Sequence, residues 1–292
     1  SGQFVSGATT GFSSNKSNPF FIVGAPELSE TANIEAIQIC NINSDDITTQ
    51  IWFELVKKIN DLAKREDVAG FVITHGTDIM EETAYFLNLT VKTAKPVIVT
   101  GAMRPPTAID ADGNANLSLA VRTAASQDAY GKGVLVAFAG KVIPARHVQK
   151  YSADSLDAIT TNGSDTPSRH TLKSEFDISK IKELPKVSII YFHAEADAEL
   201  LEFAAKRSEG IVIAGAGAGE FSLEFADVIN NLEIPVVIST RTNSGNIHPE
   251  HLICKDTISA LTLPPAKAAV LLRLALCVTT DRAELARIFW EY

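Results

Sequence analysis

Short runs of β-branched residues alternate with helically spaced apolar residues along this chain, and the runs break off in turns rich in Gly, Thr or Asp. Residues 68–74 form such a run and end in His75-Gly76, after which residues 79–89 show the 3.6-residue spacing of a helix. Residues 95–99 repeat the strand pattern, Gly101 breaks it, a helix is expected over 116–126, and residues 133–138 form the next strand. Strands that are apolar on nearly every residue must be covered on both faces, which points to a mostly parallel sheet flanked by helices. The fold class is α/β.

From residue 151 to 175 the text turns to Ser, Thr, Asp, Asn and Gly and the apolar periodicity fades, as in a loop and linker. Strand patterns then return at 187–192, 210–214 and 235–240, with helical spacing at 198–206, 223–230, 264–276 and 281–290. At roughly 150 residues per domain, 292 residues suggest two. The expected division is a larger N-terminal α/β domain over 1–165 with a mixed, mostly parallel sheet, a linker over 166–185, and a smaller C-terminal α/β domain over 186–292.

Charge narrows the function. Lys and Arg number 26 against 35 Asp and Glu, a net charge of -9, which disfavours a broad hold on phosphate backbones; nucleic acid is not an expected partner. No apolar run nears the roughly 20 residues that cross a bilayer, so no membrane role is expected. Cys40, Cys254 and Cys277 are three, far apart and without C-x-x-C spacing, which argues against a disulfide framework or zinc site. Their odd number leans toward the cytoplasm over the periplasm, although a removed secretion signal would leave no trace.

In open α/β sheets ligands collect beyond the carboxyl ends of the strands, so the turns there carry the candidate chemistry. The first is Thr74-His75-Gly76-Thr77-Asp78, where a hydroxyl stands beside a carboxylate as strand becomes helix. Its plain reading is helix capping by Thr77 or Asp78, with Glu81 or Glu82 completing a capping box. The second is Thr100-Gly101-Ala102-Met103-Arg104-Pro105, with Asp110-Ala111-Asp112-Gly113 behind it, plainly a turn and an acidic cap. The third is Ala145-Arg146-His147-Val148-Gln149-Lys150, whose lysine is either solvated or a proton carrier tuned by a carboxylate. The fourth, Gly215-Ala216-Gly217-Ala218-Gly219, hints at a dinucleotide loop, but Glu220 stands where its third glycine belongs.

Taken together, residues 72–87 (VITHGTDIMEETAYFL) and 99–105 (VTGAMRP) closely resemble the bacterial-type L-asparaginase and glutaminase-asparaginase family. Segments 174–178 and 288–292 are similar to their counterparts there, and the resemblance covers nearly the whole chain in outline. It implies hydrolysis of the side-chain amide of L-asparagine or L-glutamine through a threonine nucleophile, with no metal or organic cofactor. It also implies a homotetramer built as a dimer of dimers, with active sites between subunits.

Carried over by motif, Thr77, Asp78 and Lys150 resemble the family's threonine, aspartate and lysine around the scissile amide. Gly76 belongs to the same binding turn, Ser44 and Asp45 match residues that hold the substrate's α-carboxylate and α-amino ends, and Ala102 matches a carbonyl that accepts the amide nitrogen. Asp45 stands where a glutamine is common, and its charge would alter substrate preference. The family's primary threonine belongs to a Gly-Gly-Thr turn that would precede Ser1-Gly2. A sheet lacking that first strand would leave backbone groups unpaired, so residues upstream of Ser1 are expected. Phe20 or Phe21 replaces a family tyrosine, the stretch between Gly163 and Thr171 is shortened, Ala218 replaces an asparagine, and Glu250 matches a glutamate lent across the dimer. The rival expectations are an impaired protein of this fold that binds an amino acid without turnover, and a nucleotide-binding enzyme using Gly215 to Gly219.

Overall fold

The computed structural model describes residues 28, 31–161, 174–242 and 244–292. These divide between Ser174 and Glu175 into two compact units, each α/β. In the first, a 3-10 turn at Ser44–Asp46 leads to helix α1 (Thr49–Leu62), whose entry is fixed by the Thr48 hydroxyl accepting from the Ile51 amide. Trp52, Leu55, Val56 and Ile59 recur every three or four residues and form the buried stripe of α1.

The chain continues through β1 (Phe71–Thr74), α2 (Met80–Thr90), β2 (Val97–Thr100), α3 (Gly113–Ala125), β3 (Val134–Phe138) and β4 (Lys141–Pro144). Their sheet has the order β1-β2-β3-β4, with Phe71 opposite Val97 and Val97 opposite Val134. The first three strands run parallel, and β4 returns antiparallel through a tight turn at Ala139-Gly140, both at positive φ. A separate antiparallel ribbon pairs β5 (Val148–Lys150) with β6 (Ile159–Thr161). β6 therefore lies inside the stretch expected to be loop, because a three-residue polar strand has too little periodicity to reveal itself.

Helix α2 is buried on almost every side, so its polar residues need partners. Thr83 accepts the Trp52 indole N–H at 2.9 Å, Thr90 donates to the Phe86 carbonyl at 2.6 Å, and Asn88 accepts the Val134 amide at 3.1 Å. The Trp52 and Phe86 rings stack at 4.6 Å, locking α1 to α2.

The second unit is β7 (Val187–Tyr191), α4 (Ala198–Ala205), β8 (Gly210–Gly215), α5 (Leu223–Asn230), β9 (Val236–Thr240), β10 (Ile258–Ser259), α6 (Pro265–Ala275) and α7 (Arg282–Glu291). Its sheet is parallel throughout in the order β10-β9-β8-β7. Asp197, Ser222 and Asp281 cap α4, α5 and α7 by accepting from the amides of Glu199, Phe225 and Glu284. One guanidinium closes the C-terminus: Arg287 donates to Glu284, Glu291 and Glu175 at 2.6–3.0 Å. Those carboxylates, Glu284 and Glu175 foremost, hold its pKa well above the ordinary arginine value.

Where β1 and β2 end, their turns are packed into each other. The His75 amide extends the ladder by donating to the Thr100 carbonyl at 2.8 Å. A Cβ on Gly101 would stand 2.3 Å from the His75 carbonyl oxygen and 2.6 Å from the Met80 methyl, so only glycine fits. The His75 ring is buried, with Nδ1–H donating to the Gly76 carbonyl at 2.6 Å. Burial pushes its pKa below the ordinary 6.5, partly countered by that carbonyl.

Two outcomes follow from this packing. Gly101→Ala should cost about 1–3 kcal/mol in urea unfolding, since backbone rather than a flexible side chain must yield; an unchanged midpoint refutes the close approach. For His75 the folded state stays neutral where the unfolded chain takes up a proton, so stability present above the ordinary value of 6.5 is lost as pH falls below it. The unfolding free energy should drop between about pH 7.5 and about pH 5.5, and less steeply in His75→Asn; equal slopes would contradict the assignment.

Candidate active site

β1 delivers His75-Gly76-Thr77-Asp78 to the mouth of the first unit, and α2 starts two residues later. The helix is entered at Ile79, which makes no side-chain capping bond, so the capping reading of Thr77, Asp78 and a Glu81 or Glu82 box is corrected. The two side chains turn instead toward Lys150, the last residue of β5. Lys150 Nζ donates to Thr77 Oγ1 at 3.0 Å and to Asp78 Oδ1 at 2.6 Å. Thr77 is 7 % exposed, the Lys150 side chain 15 % and the Asp78 side chain 65 %, so the hydroxyl and ammonium are sheltered while the carboxylate meets solvent. Lys150 is thus not the solvated lysine of the plain reading. Asp78, Lys150, Tyr151, Ser152 and Ala153 line a shallow hollow of about 310 Å³, at the small end of ligand sites.

The second turn is held by its main chain. Asp112 accepts from the Met103 amide at 3.0 Å and the Arg104 amide at 2.9 Å, which replaces its expected role as cap of α3, a helix without a side-chain cap. Asn116 donates to the Gly101 carbonyl at 2.9 Å and accepts the Ala139 amide at 2.9 Å, tying the turn to the end of β3. Ala102 lies half-buried between these anchors. Met103 reaches the other turn, its sulfur accepting from the Thr77 hydroxyl at 3.4 Å. Sequence reasoning passed over Asp112, Asn116 and Met103 as working residues; only the Asp-x-Asp-Gly spacing signalled them.

Of the substrate-binding candidates, Gly76 is buried within the same turn and its carbonyl accepts from the His75 ring. Ser44 is buried in the 3-10 turn before α1, with its hydroxyl donating to the exposed Asp45 carboxylate at 3.3 Å and not to Thr77, Asp78 or Lys150.

The glycines at 215–219 form a closed turn. Ala216 and Glu220 pair as a β-bridge, and the Gly219 and Glu220 amides donate to the Ala216 carbonyl at 3.0 and 2.8 Å. Amides engaged in this way are not presented to a phosphate, so the dinucleotide reading is corrected. Glu250 is exposed beside His248 at 3.6 Å. Phe20, Phe21 and the stretch between Gly163 and Thr171 lie outside the described residues. Among the described residues no three His, Cys, Asp or Glu side chains converge as a metal site requires, and no helix is long and apolar enough to cross a membrane. Burial raises the thiol pKa of Cys40, Cys254 and Cys277 above the ordinary value.

Residues 6–178 match the family described as Asparaginase, N-terminal, and residues 186–289 match the Glutaminase/Asparaginase C-terminal domain. The chain is 39% identical over 290 residues to L-asparaginase 2 of Bacillus subtilis (strain 168), covering 93% of this chain and 77% of that one. It is equally 39% identical to the glutaminase-asparaginase of Pseudomonas fluorescens biotype A, covering 93% and 81%. Among solved structures, a probable cytoplasmic L-asparaginase from Campylobacter jejuni superimposes with a TM-score of 0.92 at 36% identity over 100% of both chains. On the strength of both halves matching and of this identity along almost its whole length, the chain belongs to the asparaginase family.

Proposed function

We propose that this protein is an amidohydrolase that cleaves the side-chain amide of L-asparagine, with L-glutamine as its second substrate, to the acid and ammonia through a threonine nucleophile. The observation that carries the reading is the convergence of Thr77, Asp78 and Lys150 around one point at the mouth of the sheet. A threonine hydroxyl attacks an amide only when a base removes its proton. In the reacting form Thr77, Lys150 and Asp78 act as the proton relay of that attack: the Lys150 amine accepts the proton through its 3.0 Å contact with Thr77, and Asp78 neutralises the ammonium that forms. The same proton then serves the leaving nitrogen, which departs as ammonia, and water hydrolyses the acyl-threonine ester that remains, releasing the acid and restoring the hydroxyl.

Binding follows from the neighbouring turns. The Ala102 carbonyl, fixed by Asp112 and Asn116 on either side, accepts the N–H of the substrate amide. Ser44 holds the α-carboxylate, and Asp45 with Asp78 attracts the α-amino group. Two negative charges near the amino group tighten that end and oppose the carboxylate, so the chain-length preference between the two amides is set here.

The assembly in this reading is a homotetramer, a dimer of dimers. Leu200 and Phe203, each 60 % exposed one turn apart on α4, are apolar area that a second copy would cover.

Thr77→Ala and Lys150→Met should each lower ammonia release from L-asparagine by about 10³-fold while leaving the unfolding midpoint nearly unchanged. Near-normal rates in either variant refute the roles. Sedimentation equilibrium should return four times the protomer mass, and a stable monomer refutes the assembly.

A further inference from the structure

Lys150 is held at its base as well as its tip. In an antiparallel ribbon successive amides point to opposite sides, and the Tyr151 amide, next after β5, donates inward to the carbonyl of Ala158, the residue before β6, at 2.9 Å. The Lys150 amide therefore faces outward, away from β6. There it meets Glu81, whose Oε2 accepts from it at 2.6 Å. Glu81 sits in the first turn of α2, four residues after Thr77 and three after Asp78. One short stretch of chain thus contacts Lys150 at its main chain, through Glu81, and at its ammonium, through Thr77 and Asp78.

This matters because β5 and β6 form a two-stranded ribbon of three residues each, an arrangement with little stability of its own. A lysine on a loose ribbon, with four rotatable carbons beyond it, would sample many positions of its nitrogen. Fixing the peptide from which the stem departs removes the largest of those freedoms.

We propose that Glu81 is a positioning residue for amide hydrolysis: its carboxylate anchors the backbone of Lys150 to α2 and so sets the reach of the Lys150 amine to Thr77 and Asp78, without touching substrate. The inference rests on the reading of the site given under Proposed function.

The test compares the full chain with Glu81→Ala, Glu81→Asp, Glu81→Gln and Lys150→Met. Each is followed by kcat and KM for ammonia release and by unfolding midpoint, and in the proteins that keep Lys150 also by the rate at which acetic anhydride modifies its amine, read by peptide mass spectrometry. Glu81→Ala should lower kcat on the order of 100-fold with KM little changed, the size expected from misplacing a reacting group by about an ångström. Glu81→Asp, a methylene too short, should fall with it; Glu81→Gln, which keeps an acceptor oxygen at the same reach, should retain most turnover. Lys150 should become more reactive in the Ala and Asp variants and not in the Gln variant. A normal kcat in Glu81→Ala, equal damage from Gln and Asp, or a change in KM alone overturns the proposal. Should Glu81→Ala not fold, the contrast between Asp and Gln decides. If the unaltered chain releases no ammonia, or Lys150→Met is fully active, the reading of the site has failed; the labelling pattern still decides whether Glu81 places the amine.

Discussion

The contact of one amine with a hydroxyl and a carboxylate, Lys150 with Thr77 and Asp78, is what the proposed chemistry of this chain depends on. As a source of stability it is weak. With Asp78 two-thirds exposed, water screens the pair, and such ion pairs contribute about 0–1 kcal/mol. In the proposed reaction the same contact has larger consequences, since a correctly placed proton acceptor is worth about 10²–10⁴ in rate. Its value therefore lies in placement, and the surrounding structure is organised to give that placement.

The organisation works through main-chain anchors. Asp112 gathers the Met103 and Arg104 amides, Asn116 bridges the Gly101 carbonyl and the Ala139 amide, and Glu81 takes the outward amide of Lys150. Each is a hydrogen bond from a side chain to a turn or strand end that the sheet ladder leaves unsatisfied, a demand that buried backbone makes everywhere. The first unit meets that demand with residues that also fix Ala102 and Lys150. Gly101 completes the set by letting the two turns approach within a distance no Cβ tolerates.

Much of the fold was legible. Residues 223–230 were read as a helix and form α5, and β2, β3, β7, β8 and β9 fall within two residues of their expected bounds, because an apolar run bounded by Gly, Pro or Asp is a local signal. The ribbon of β5 and β6 escaped notice, since strands of three residues carry no period. Helix α1 was also passed over, although its stripe of Trp52, Leu55, Val56 and Ile59 has a clear 3.6-residue spacing. At the site, Thr77 and Asp78 stood out by their place at a strand end, and Lys150 in a later turn as either a solvated lysine or a proton carrier, a choice that the family motif then weighed. Glu81 and Asp112 were misread as helix caps because acidic residues at a helix start have that local meaning, whereas both act on backbone elsewhere in the unit.

The amino-acid order by itself determined the alternation of strands and helices, the turns that end them, and the family to which Thr77, Asp78 and Gly101 point, since each rests on spacing within a dozen residues. Only the tertiary structure decided which groups meet. Lys150 lies 73 positions from Thr77 and 69 from Glu81, and their contact is set by the side to which a two-residue period turns the Lys150 amide and by the depth at which α2 is buried. Those are properties of packing, which brings together residues that no local pattern connects.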